Sequence, residues 1–165
     1  MVSAVFLKEC DIFSRLNDAQ LKALVAIAKE EQHAPGTLLY KIGDRSTCLY
    51  LVEKGKVTLE MKSDMGPARP PMSVTVDHVS RLEAFGWSAF DEPNLHTLNA
   101  TVAEPTTLIS FDGEKLKALM SRDPQMGLEI IKGLTRQLAS CLKESRLLLM
   151  SERALAFLTS GTEYA

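Results

Sequence analysis

Between Pro35-Gly36 and Val79 the chain is a series of short β-prone runs, at 38–42, 49–52, 57–61 and 74–76, separated by Gly43-Asp44, Gly55 and the segment 63–71. Runs of three to five residues rich in Val, Ile, Leu, Tyr and Thr are too short for stable helices and must pair with one another. Glu53-Lys54-Gly55-Lys56 between two apolar runs is a hairpin signal, because glycine adopts positive φ without steric cost. The segment 63–71, Ser-Asp-Met-Gly-Pro-Ala-Arg-Pro-Pro, holds too much proline for a strand interior and is expected as a hairpin tip. Two further runs, 98–103 and 107–111, complete a pattern that predicts a mainly β fold: a double-stranded β-helix, or jelly-roll-like β-roll.

Helices flank this roll. Leu21, Leu24, Val25 and Ala28 recur at helical spacing behind the cap Asn17-Asp18, which predicts an amphipathic helix over 17–31. Leu116, Leu119 and Met120 predict a short helix after Gly113, and Asp123-Pro124 starts a long one with Asp123 as N-cap and Pro124 at the first helical position. Along it Leu128, Ile131, Leu134, Leu138, Leu142, Leu148, Leu149 and Leu155 approximate a coiled-coil seam, interrupted at Ser145 and Glu152. One roll cannot cover both halves of such a helix, so the stretch 141–158, with Cys141, Leu142 and Leu149, is expected to form a homodimer. The expected organisation is one domain over 1–165: N-terminal helices 1–32, β-roll 33–112, C-terminal helices 113–158 and a tail 159–165.

Composition closes several alternatives. The length of 165 residues suits one domain, and a net charge of −2 supplies no basic excess for nucleic acid or an anionic membrane. The apolar run 23–28 is far short of a bilayer span, and residues 1–8 are too few for a signal peptide, so a cytoplasmic protein is expected. Cys10, Cys48 and Cys141 contain no Cys-x-x-Cys pair and are expected to be buried free thiols. His33, His78 and His96 are dispersed without metal-ligand spacing, and no Gly-x-Ser-x-Gly turn is present. No cofactor, metal or catalytic residue is expected. The sequon Asn99-Ala100-Thr101 is coincidental without a secretion signal.

The order helix, glycine-punctuated roll, long helix resembles the cyclic nucleotide-binding domain of the Crp/Fnr regulators across nearly the whole chain. Residues 12–21, Ile-Phe-Ser-Arg-Leu-Asn-Asp-Ala-Gln-Leu, are similar to that family's opening. Pro35-Gly36, Gly43-Asp44 and residues 49–57 follow its strand pattern, and Phe85-Gly86, residues 100–103 and Leu119-Met120 before Asp123-Pro124 continue it. The resemblance implies a phosphate-binding cassette at Phe85, Gly86, Trp87, Ser88 and Ala89, where backbone N–H groups at the start of a short helix meet the cyclic phosphate. It also implies a second segment, Leu98, Asn99 and Ala100, across the pocket.

At two positions the sequence departs from the family. A glutamate that accepts the ribose 2′-hydroxyl is here Trp87, and an arginine that pairs with the phosphate is here Leu98. Losing a hydrogen bond to a charged group costs about 1.5–3 kcal/mol, which is about 10- to 150-fold in affinity per replacement. The family's glycine-aspartate before Phe-Gly is Leu82-Glu83, and the hydroxyl pair that reaches the purine aligns with Cys141-Leu142. Gly86-Trp87-Ser88 is similar to a cassette variant of short standalone members. Trp87 either packs at the rim or stacks on a planar ligand. With only seven residues after 158, no winged helix-turn-helix is expected, and the iron–sulfur cysteines of the oxygen-sensing branch are absent.

The resulting expectation is a non-enzymatic ligand-sensing or adaptor protein with weak or no cAMP or cGMP binding. It would be a homodimer with a partner protein and a small-molecule ligand, and without nucleic acid or membrane. One alternative keeps cyclic nucleotide binding through backbone donors and a basic residue such as Arg69 or Arg81. A second is a homodimeric interaction module whose pocket Trp87 closes. A third, a cupin-like metalloenzyme on a related roll, requires the clustered His/Glu ligands that the sequence lacks.

Overall fold

The computed structural model describes residues 2–63 and 72–160. Two short helices, α1 (Ala4–Glu9) and α2 (Asp18–Ile27), precede eight strands: β1 (Ala28–His33), β2 (Leu38–Tyr40), β3 (Cys48–Lys54), β4 (Val57–Ser63), β5 (Met72–Val79), β6 (Ala84–Phe85), β7 (Asn99–Val102) and β8 (Thr106–Asp112). Helices α3 (Gly113–Arg122) and α4 (Pro124–Ser160) close the chain. The strands form two antiparallel four-stranded sheets in the orders β1-β8-β3-β6 and β2-β7-β4-β5, the jelly-roll arrangement that the punctuated runs predict.

The centre of the first sheet, β3 and β8, is buried on both faces, which explains the apolar runs in these strands. Leu49, Leu51, Ile109 and Phe111 point outward to Leu7, Phe13, Leu24, Leu116, Ile130 and Leu134 of the helical layer. Val52 and Leu108 point inward to Val57, Leu59, Phe85 and Ala100, the core between the sheets. Successive strand side chains alternate faces, so one strand serves both cores.

Two local expectations are corrected. The helix predicted over 17–31 ends at Ile27, and Ala28-Lys-Glu-Glu-Gln-His33 is strand β1, paired with β8 from Ala28↔Phe111 to His33↔Thr106. Its residues favour helix, but the open edge of β8 offers a full hydrogen-bonded ladder, and that tertiary gain overrides propensity. Gly55 does not turn a hairpin: β3 and β4 belong to different sheets, and Gly55, at φ +94°, carries the chain round the corner between them. A local glycine signal fixes the reversal and not the partner. β4 and β5 do pair as a hairpin, Val57↔Val79 to Ser63↔Met72, and the tip expected there lies, at 64–71, outside the described residues, as do residues 161–165 of the expected tail.

The Asn17 capping box forms with Gln20, whose side-chain amide also donates to Asp123 Oδ2 at 2.7 Å. Asp123 caps α4 through Met126 N at 3.0 Å. One carboxylate therefore joins α2 to α4, and the Gln20 contact, ahead of the Met126 N–H, holds its pKa below the usual carboxylate value. α4 is continuous for 37 residues, about 55 Å.

Candidate functional site

The cassette residues come together at one end of the roll. β6 ends at Phe85, which is fully buried. Gly86 then takes φ +81°, and a Cβ there would stand 2.9 Å from the Cys48 carbonyl oxygen and 3.0 Å from the Tyr50 ring, so both backbone and space require glycine. A 3-10 turn, Trp87–Phe90, follows. Its outer side is set by Asn94, itself at φ +60°, whose Nδ2 donates to the carbonyls of Ser88 (3.1 Å), Ala89 (3.1 Å) and Asp91 (3.2 Å). Ser46 ties the turn to the roll by donating its hydroxyl to the Gly86 carbonyl at 3.3 Å. Leu98 lies just before β7 and packs on the inner core, Ala100 is fully buried, and Asn99 Oδ1 accepts the Ile42 N–H at 2.8 Å. The turn and Leu98 border the same small cavity.

What lies between them is a cavity of about 20 Å³, bounded by Tyr40, Leu59, Phe85, Gly86, Trp87 and His96, among others. That holds about one water, against the roughly 300 Å³ or more of a small-molecule pocket. The space is filled from within. His96, 5% exposed, stacks on Tyr40 with centroids 3.5 Å apart and planes 5° apart. Tyr50 stacks on Phe85 at 5.1 Å, and Tyr40 lies 6.2 Å from Phe85. Among the described residues, none that lines this cavity is a lysine or arginine. Arg81 points elsewhere, bonded to Glu9 Oε2 at 2.8 Å and lying over the Phe6 ring at 5.3 Å, and Arg69 is outside the described residues.

The Tyr40–His96 plug was not legible in the sequence. The two rings are far apart in the chain, and the only local sign is the Pro93-Asn94 turn that presents His96. Burial lowers the His96 pKa, and the charge of Asp44 acts against this only in second place. The imidazole is therefore neutral near pH 7. Its folded pKa lies below its unfolded one, so its contribution to stability is complete above about pH 6.5 and is lost as the pH falls. Acidifying towards about pH 5 is expected to lower the urea midpoint, and His96→Phe, which keeps a ring on Tyr40, to remove the part of that loss due to this residue. An unchanged pH profile in His96→Phe would contradict this. Burial also pushes the Tyr50 hydroxyl up to about 12 and raises Tyr40 further, so both rings remain uncharged.

A second unexpected residue, Gln137 of α4, completes the backbone of β6. Its Nε2 donates to the Ala84 carbonyl at 2.6 Å and its Oε1 accepts the Ala84 N–H at 3.3 Å. Trp87 packs towards the helical layer and lines a cleft with Asp77, Gln137 and Cys141. Cys141 faces Asp77 Oδ2 at 3.6 Å, and burial, followed by that carboxylate, raises its thiol pKa. Cys10 is buried, with its thiol pushed up to about 12, whereas Cys48 and Cys141 are only half-buried. Among the described residues no cluster of His, Cys, Asp and Glu could hold a metal, and no helix is long and apolar enough to cross a membrane.

An eight-stranded roll with this turn beneath a long helix is the β-roll architecture of a regulatory domain. The family model described as the cyclic nucleotide-binding domain matches residues 30–123, more than half the chain, and the protein belongs to that family. Among solved structures, the chain is similar to a putative cyclic nucleotide-binding protein from Geobacter metallireducens GS-15, with 23% identity over 86% of this chain and 99% of that one, TM-score 0.74. It is similar to the N-terminal domain of a transcriptional regulator from Streptomyces coelicolor A3(2), with 24% identity over 82% and 93%, TM-score 0.65. A third likeness is to the regulatory subunit of a cAMP-independent protein kinase A from Trypanosoma brucei, with 15% identity over 80% and 44%, TM-score 0.67. No curated protein is significantly similar in sequence.

Proposed function

We propose that this protein is a homodimeric, non-enzymatic signalling module that does not recognise cAMP or cGMP and passes its signal to a partner protein. One observation supports the reading: among the described residues, the cavity beside the Phe85–Ala89 turn is about 20 Å³, has no lysine or arginine in its lining and is closed by the Tyr40–His96 stack. A cyclic phosphate brought there would lose its water and gain no cation, a desolvation without compensation. The fold does not oblige control by cAMP, since it is shared by the regulatory subunit of a kinase described as cAMP-independent.

Dimerisation would use α4. Ile131, Leu138, Leu142 and Leu149 follow one another at steps of seven, four and seven residues and lie exposed, on a side of the helix different from Ile130, Leu134, Gln137 and Cys141, which meet the rest of the fold. A cytoplasmic setting suits such a module. Calorimetric titration is the test: neither cAMP nor cGMP is expected to bind with micromolar affinity, and a micromolar dissociation constant for either would refute the reading.

A further inference from the structure

The distal part of α4 carries a second stripe, about a quarter-turn round the helix from the dimer seam. Lys143, Arg146, Leu147, Met150, Arg153 and Phe157 follow one another at mostly three- and four-residue steps along it. Leu147 is 61% exposed, Met150 68% and Phe157 61%, so the apolar side chains reach solvent in the protomer. A two-stranded seam through Leu138, Leu142 and Leu149 would have Arg146 and Arg153 at its margin and leave Leu147 and Met150 open. Lys143, Arg146 and Arg153 make no ion pair among the described residues, and no carboxylate interrupts the stripe. Three cations on one helix face of a chain whose net charge is −2 form a local feature, against the overall balance.

We infer that this stripe docks an acidic amphipathic helix of a partner protein. The inference rests on the proposed reading of the chain as a protein-coupled module and names the surface and the chemistry of its partner. Leu147, Met150 and Phe157 supply helix-in-groove anchors at the spacing one helix presents to another, and Lys143, Arg146 and Arg153 select for carboxylates beside them. A second copy of the same stripe would set cations against cations, so self-association is disfavoured on this side. A lipid surface fits less well. An interfacial helix separates a charged face from an apolar one, whereas here Arg146 adjoins Leu147 and Arg153 lies between Met150 and Phe157.

The experiment uses the full chain and three probes: a fluorescently labelled Glu/Leu amphipathic peptide, its Lys/Leu counterpart and phosphatidylglycerol vesicles. Anisotropy is expected to show saturable binding of the Glu/Leu peptide only, weakened about tenfold in Arg146→Glu/Arg153→Glu and reduced in Met150→Asp, with both variants still dimeric by sedimentation. Equal binding of the Lys/Leu peptide, indifference to the charge reversal, or co-sedimentation with vesicles in place of peptide binding would each overturn the inference. The two readings fail separately. A dimer that ignores the Glu/Leu peptide removes the docking stripe alone, and a wild-type monomer that binds it removes the dimer alone.

Discussion

Leu142→Asp together with Leu149→Asp is expected to turn the dimer into a monomer whose roll is intact. Leu142 is 52% exposed and Leu149 49% exposed in the protomer, so neither change disturbs the core. In a two-fold dimer each substitution appears twice, placing four carboxylates in a seam that leucines otherwise fill. Removing a buried leucine side chain costs about 2–5 kcal/mol, and a buried unpaired carboxylate adds to that. A loss of at least about 4 kcal/mol is about a thousandfold in dissociation constant. Sedimentation velocity reads the mass, and circular dichroism reports the strands. A wild-type protein that is already monomeric, or a double variant that still dimerises, contradicts the seam.

The second large effect is expected at Gly133, where α4 crosses the segment between α1 and α2. A Cβ there would lie 2.4 Å from Ile12 Cα and 2.7 Å from the Ile12 carbonyl oxygen. Both obstacles are main chain, so no side chain can swing away and the helix itself must move. Gly133→Ala is therefore expected to destabilise by about 1–3 kcal/mol, despite the better helix propensity of alanine. For a protein of this size that lowers Tm by about 2–12 °C. The displacement would also stretch the neighbouring bonds of α4, from Arg136 to the Asp11 carbonyl at 2.8 Å and from Gln137 to Ala84. Faster amide exchange at Ala84 than in the wild type would trace the effect to the cassette. A Tm equal to or above that of the wild type would refute the close-approach argument.

The elements legible in the sequence are those whose signals are local. The apolar runs of β3 and β8, the cap at Asn17 and the Asp123-Pro124 helix start each specify structure within a few residues. The missing charges at Trp87 and Leu98 were legible for another reason: a resemblance supplies the expected residue, and its absence is then a fact of the sequence. Non-local choices were not legible. Strand β1 is composed of helix-compatible, mostly polar residues and is a strand because β8 has a free edge. Gly55 fixes a reversal of direction but cannot say which sheet receives the chain. The Tyr40–His96 stack joins two runs that meet only when the roll closes, and Gln137 is an ordinary exposed-looking helix residue until α4 lies against β6.

The pairing of β1 with β8 has a consequence for how the molecule is made. The first strand of the roll waits for the last one: Ala28 has no ladder partner until Phe111 has been synthesised. Loop closure over that span comes before the contacts that reward it, which slows folding. On the ribosome, the charged strand Ala28–His33 and the apolar strand Cys48–Lys54 leave the tunnel without the strand that sits between them. Charge on β1 keeps that waiting strand soluble, while β3 depends on its later neighbour for protection. The first sheet closes only once β8 has emerged, so a nascent chain stopped before β8 leaves β1 without its ladder and one edge of β3 open.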